Sequence, residues 1–166
     1  QTGMVNASND ASWNEFTPRA GLRYEFSDNL MAFATYSTGY RAGGFNGRVN
    51  SVEEATQPYD PETVDNIEVG IKSEWMDDRL RFNASYFVMN YDDKQEELQL
   101  PSDTGTGQKT VVTNASEATI QGLELEVQAL LGEGLSLRAN LGWLDTEYDN
   151  FQYTDAVSSE TVELSH

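Results

Sequence analysis

The chain has 166 residues, 38% of them apolar, no cysteine, and a formal charge of −18 from 28 acidic and 10 basic residues. That balance excludes a nucleic-acid binder, because a phosphate backbone would be repelled and no basic stripe exists, and the missing cysteine excludes a disulfide framework or thiolate metal site. No run approaches the roughly 18 consecutive apolar residues of a transmembrane helix, and Gln1 to Ser12 has neither the basic start nor the apolar centre of a signal peptide.

What the chain does have is period-two alternation of apolar and polar residues, the signature of half-buried strands. The predicted strands run from about Phe16 to Phe26, Leu30 to Arg41, Thr63 to Trp75, Arg79 to Tyr91, Val111 to Leu130, and Leu135 to Glu147. Ser27-Asp28-Asn29, Met76-Asp77-Asp78 and Leu131-Gly132-Glu133-Gly134 separate the first, third and fifth strands from their successors. These residues tolerate hairpin dihedrals, so three tight turns are expected. The other connections, Ala42 to Glu62 and Asp92 to Thr110, are long, polar and acid-rich.

Short turns at one end and long loops at the other predict an all-β fold: an antiparallel, up-and-down transmembrane β-barrel segment of about six strands. Its strands would have two faces. Ile67, Val69, Ile71 and Trp75 oppose Asn66, Glu68, Gly70, Lys72 and Glu74; Leu123, Leu125, Val127 and Ala129 oppose Gly122, Glu124, Glu126 and Gln128; Leu135, Leu137, Leu141 and Trp143 oppose Ser136, Arg138, Asn140 and Gly142. The second and fourth strands are less clean, since Met31, Phe33, Phe87 and Met89 fall on the polar side. Ile120 is out of phase with Leu123, which predicts a bulge or a late start there. Tyr24, Phe26, Tyr36, Tyr40, Trp75, Tyr91 and Trp143 gather toward strand ends, as an interfacial girdle would, although aromatic residues favour strands anyway. Six strands cannot close such a barrel. Open edges would leave backbone groups unpaired in hydrocarbon, so the segment belongs to a larger barrel or an oligomer, and alone in water it should aggregate.

Several motifs then take on meaning together: Phe16-Thr17-Pro18-Arg19 with Leu22-Arg23-Tyr24, the run Tyr36 to Asn46, the run Tyr59 to Lys72, and Asn114-Ala115-Ser116 with Gly122-Leu123-Glu124-Leu125-Glu126. In this order, over roughly Trp13 to Tyr148, the chain resembles the barrel of a TonB-dependent outer-membrane receptor. The resemblance implies a 22-stranded barrel in the bacterial outer membrane, an N-terminal plug inside it, and import of a scarce ligand with energy from the TonB complex. On that reading residues 1–166 are all part of the barrel domain, with the plug absent from this chain.

Candidate chemistry is sparse. Arg41, at the start of a glycine-rich loop, would hold a carboxylate or siderophore anion, Phe45 would stack on a ligand, and Asn46 completes the candidate ligand-binding set; the plainer alternative is a turn locking the loop to the wall. Glu68, Lys72, Glu124, Glu126 and Arg138 are the candidates for the lumen and its plug, or for a solvated wall. The only histidine is His166, so neither a catalytic triad nor a histidine-rich metal site can be built. Gly105 to Thr110 mimics a phosphate loop without its spacing, and the acids at Glu53-Glu54, Asp92-Asp93 and Asp145 to Asp149 lack the full EF-hand pattern. No enzyme activity, metal or cofactor is expected. The function expected is TonB-dependent uptake, most often of an iron-siderophore complex in such receptors, with outer-membrane lipid as surroundings. A passive channel, an oligomeric small barrel and a soluble acidic β-sheet binding module share the strand pattern.

Overall fold

A computed structural model of the chain describes residues 8–47, 49, 51–102, 107–154 and 161–164. Among these residues nine strands and one short helix follow in order: β1 Arg19–Ser27, β2 Leu30–Arg41, β3 Gly44–Phe45, α1 Val52–Thr56, β4 Pro58–Tyr59, β5 Glu62–Trp75, β6 Leu80–Pro101, β7 Gln108–Gly132, β8 Leu135–Thr154 and β9 Thr161–Leu164. Seven of the strands form one antiparallel sheet in the order β1-β2-β5-β6-β7-β8-β9, and β3 pairs with β4. Strands adjacent in the main sheet are consecutive along the chain once the β3–β4 excursion is set aside, which is up-and-down topology.

The three tight turns form where their residues permit them. Met76, Asp77 and Asp78 all take positive φ (61°, 54° and 62°), and Gly134 takes 81°; aspartate and glycine tolerate this region better than branched residues do.

Register then sorts the side chains. Leu22, Ala34, Val69, Tyr86, Leu123 and Trp143 stand in one row across six strands. The next row on the same face is Tyr24, Ala32, Ile71, Ala84, Leu125 and Leu141. Large apolar groups here are open to their surroundings, with Leu141 64% and Leu22 74% exposed. A face this apolar and this uncovered is a lipid-facing one. From Ile67 to Trp75 it is nine residues tall, close to the roughly 9–11 residues a tilted strand needs to cross a bilayer. Ser73 on this face donates its hydroxyl to the Phe82 carbonyl at 2.8 Å, so it exposes no unpaired donor to hydrocarbon.

Above the apolar rows the outer face turns polar within one repeat. Tyr36 and Thr38 both donate to Asp65, at 2.8 and 2.9 Å, and Gln121 donates to Asp145 at 3.0 Å. Tyr36, Tyr86 and Trp143 sit at this change of polarity, and Tyr24, Phe26 and Trp75 sit toward the opposite, tight-turn end. Tyr91 does not join the girdle, because register pairs it with Val64 and Ala118 on the inner face.

Four more expectations change. β1 begins at Arg19, not Phe16. The long polar connection predicted from Asp92 to Thr110 is mostly strand: β6 and β7 continue as a hairpin to Pro101 and Gln108. These strands have 22 and 25 residues, about twice what a bilayer crossing requires, so the hairpin stands as a tower beyond the apolar face. A seventh strand, β9, pairs with the far end of β8. Register runs unbroken through Ile120 and Leu123, and the bulge lies higher, between Glu117 and Ala118. Phe33 and Phe87 face inward, as their parity predicted, and glycine explains how they fit. A Cβ on Gly70 would lie 2.6 Å from the Phe33 ring, and one on Gly122 would lie 2.6 Å from the Phe87 ring. Each ring therefore lies over a glycine of the next strand, flat against the inner wall.

Candidate functional site

Two regions carry the polar chemistry, the inner wall and the mouth above it. On the inner wall, Glu68, Lys72, Glu124 and Glu126 line one hollow of about 550 Å³ together with Phe33, Asn83, Ser85 and Asn140. Alternation on β5 and β7 projects all four to one face, and the pairings of β6 between these strands bring them across from one another. Arg138 lies outside that hollow, beside Arg81 and Gln128 toward the tight-turn end.

Glu126 is held by Asn83 and Gln128, whose amides donate to it at 3.0 and 2.6 Å. Lys72 has no ion pair among the described residues; its ammonium lies 5.7 Å above the centre of the Phe33 ring. The ion pairs on this wall are Arg23 with Glu25 and Arg81 with Glu74, the latter with Arg81 Nε donating at 2.8 Å. Both are open to solvent and contribute little. Register places Arg19, Arg23, Arg41, Lys72, Arg81 and Arg138 on the inner face, against Glu25, Glu62, Glu68, Glu74, Glu124 and Glu126. The inner wall is thus charge-balanced. Among the described residues the excess acid includes Asp28, Asp77, Asp78 and Glu133 in the turns and Asp92, Asp93, Glu96 and Glu97 on β6 beyond the apolar face.

At the mouth the three ligand candidates part company. Arg41 is exposed at the end of β2, opposite Glu62, with no ion pair among the described residues. Phe45 is half-buried and packs against Trp13, with ring centres 6.3 Å apart. Gly43 and Gly44 admit this packing: a Cβ on Gly43 would lie 2.3 Å from the Tyr59 carbonyl, and one on Gly44 would lie 2.4 Å from the Tyr59 hydroxyl. Asn46 has both ends of its amide occupied, donating to the Val112 carbonyl at 2.9 Å and accepting from the Val112 N–H at 2.7 Å. It holds the loop to β7, the plainer of the two roles its sequence context offered. Glu54, among the acids weighed for Ca²⁺, instead accepts from Lys109 at 2.7 Å.

Sequence reasoning missed the residues on the other side of this contact: Gln95, Lys109 and Asn114. It also missed a cluster on the tower, where Glu96 pairs with Lys94 and accepts from Tyr148 at 3.1 Å, with the Lys94 ammonium 5.4 Å over the Tyr148 ring. Burial alone would lower the Lys94 pKa, but the hydrogen bond and charge of Glu96, reinforced by Tyr148, leave it above its ordinary value. A raised lysine contributes stability that is complete below its ordinary pKa and is lost as pH climbs through the folded value. Lys94→Met should therefore lower the denaturant midpoint of the full-length protein equally at neutral and mildly alkaline pH. The gap to the parent should close only in strongly alkaline solution; a gap that closes near neutrality would contradict the assignment.

Comparison with known proteins agrees with this geometry. The model of the family described as TonB dependent receptor-like, beta-barrel, matches residues 1–163. Curated relatives include the ferripyoverdine receptor of Pseudomonas aeruginosa, 26% identical over 75% of this chain and 15% of the relative. A second is the ferric-pyoverdine M114 receptor of a Pseudomonas species, 26% identical over 92% of the chain and 17% of the relative. The metal-pseudopaline receptor of P. aeruginosa is 29% identical over 79% of the chain and 17% of its own length. Among solved structures, the ferric yersiniabactin uptake receptor of Yersinia pestis superimposes with a TM-score of 0.62 at 22% identity, covering 78% of this chain and 18% of that one. The chain therefore spans less than a fifth of the length of the relatives named here. Receptors of this kind are outer-membrane β-barrels and not an enzyme family, and with the family model matching almost its whole length, this chain belongs to the TonB-dependent receptor β-barrel family.

Proposed function

We propose that residues 1–166 are part of the barrel domain of a receptor that takes up an iron-siderophore or similar metal chelate, driven by the TonB complex acting through a plug. Transport proceeds without catalysis. The observation that carries the ligand class is that curated relatives covering three quarters or more of this chain are named as receptors for ferric pyoverdines or for a metal chelate. The wall supports it physically. Its inner face is polar, charge-balanced and lined by hydrogen-bonded side chains, which suits a surface that holds and releases a folded plug in water. In this reading Glu68, Lys72, Glu124, Glu126 and Arg138 face the plug, Arg41 reaches the ligand, and Phe45 and Asn46 act by fixing the loop from which Arg41 emerges.

The test is genetic. Deleting the full-length gene from its source organism under iron limitation should abolish growth on at least one ferric siderophore, and restoring the gene should restore growth. A receptor that instead supports growth on a sugar oligomer, and on no chelated iron, would overturn the proposal.

A further inference from the structure

β6 keeps its partner β5 only up to the pair Thr63 and Asp92. Beyond that point β6 is paired on one side alone, by β7, and no strand among the described residues pairs with its other edge. The ladder is also irregular at this level in three neighbouring strands. Asp92 and Asp93 of β6 lie opposite Glu117 of β7 in one register shift, with Asp93 at φ 52°; a second follows between Lys94 and Gln95; and the β7–β8 register shifts between Glu117 and Ala118. Bulges bend a strand and weaken its pairing locally. These shifts, two between β6 and β7 and one between β7 and β8, make a line on which the tower is free to tilt, unless something holds it.

The segment from Ala42 to Asp60 does hold it. Its described residues lie as a strap along the tower, reaching β6 through Gln95 and β7 through Asn114, Val112 and Lys109. Gln95 donates its amide to the Ala42 and Asp60 carbonyls, both at 3.0 Å, and its backbone N–H donates to Glu62 at 2.7 Å. Asn114 accepts from the Asp60 N–H at 2.7 Å and donates to the Asp60 carbonyl at 2.9 Å and to the bulge carbonyl of Asp93 at 2.7 Å. Asn46 makes its two-ended bond to Val112, and Lys109, only 4% exposed, reaches Glu54 on α1. Gln95, Lys109, Ala115 and Ser116, most of the buried side chains among the described residues, lie on the tower. The strap is thus a clamp across a bend line.

We propose that this clamp fixes the β6–β7 tower, so that this side of the mouth is preformed and does not swing as a lid. Asn46, Gln95, Asn114 and the Glu54–Lys109 pair are its positioning residues. Only the consequence for ligand entry rests on the receptor reading. The test uses the full-length receptor in outer-membrane vesicles, with spin labels on Glu53→Cys in the strap and Gln99→Cys on the tower. The expected result is one narrow distance distribution. Asn46→Ala with Asn114→Ala should broaden it several-fold. Lys109→Glu should also broaden it, and adding Glu54→Lys should narrow it again, a rescue that general loss of folding would not give. A broad or two-peaked distribution in the parent, or an unchanged one in the charge-reversed single variant, would overturn the clamp. No ligand enters the measurement, so a receptor that takes up no chelate would sink the proposed function and leave the clamp to be judged separately.

Discussion

Leu125→Arg is expected to destabilise the full-length barrel by about 2–4 kcal/mol, the range for a basic side chain turned to lipid near the bilayer midplane. Leu125 stands in the third of five outward rows. Two lie toward the tight turns, those of Trp75, Leu80, Ala129 and Leu137 and of Ser73, Phe82, Val127 and Ala139; two lie toward the tower, ending at Ile67, Val88 and Gln121. No neighbour in the central row offers a counter-charge, since Ile71, Ala84 and Leu141 flank it. Glu124→Gln, one residue away but on the inner face, should change stability by no more than about 0.5 kcal/mol, as exposed polar substitutions do. The pair is compared by equilibrium refolding into lipid vesicles across a denaturant series. Equal effects at the two positions would mean that the faces have been misassigned.

Gly122→Ala is the second large effect. Its Cβ would lie 2.6 Å from Cζ of Phe87 and 2.9 Å from the Trp143 carbonyl oxygen. The ring can turn away into the lumen, but the carbonyl belongs to the β8 backbone and cannot yield without disturbing the ladder. Overpacking of this kind costs about 1–3 kcal/mol. Phe87→Ala added to Gly122→Ala should recover the part due to the ring and leave the part due to the carbonyl, so the double variant should fall between the parent and Gly122→Ala. The same refolding experiment measures this. Full recovery would mean that the backbone approach carries no cost, and no loss in the single variant would mean that the ring does not lie on the wall.

The contrast between these residues and the strap shows what a sequence can disclose. Turns such as Met76-Asp77-Asp78 and faces such as Ile67, Val69 and Ile71 are local, set by residues next to or two apart from one another, and they emerged as expected. Even the inward parity of Phe33 and Phe87 was visible; what was hidden was the glycine beneath each ring, which lies on another strand. The tower was missed for a different reason. From Asp92 to Pro101 neither face of β6 meets hydrocarbon, so the sequence has no lipid-driven alternation to reveal a strand there. The clamp was beyond reach altogether, because Asn46 and Val112 are 66 residues apart and Gln95 and Ala42 are 53 apart. Asn114 appeared in a family-like motif, yet nothing in its neighbourhood indicates that its amide seals the bulge at Asp93.

The most direct test of the segment as a wall between lipid and lumen is a scan of single spin-labelled cysteines along β5 in the full-length receptor, at Ile67, Glu68, Val69, Ile71, Lys72 and Glu74. Accessibility is read with oxygen, which partitions into lipid, and with a water-soluble nickel chelate. Labels at positions 67, 69 and 71 should be open to oxygen and shielded from nickel, and those at 68, 72 and 74 the reverse. Uniform accessibility along the strand, or alternation in the opposite phase, would contradict the account.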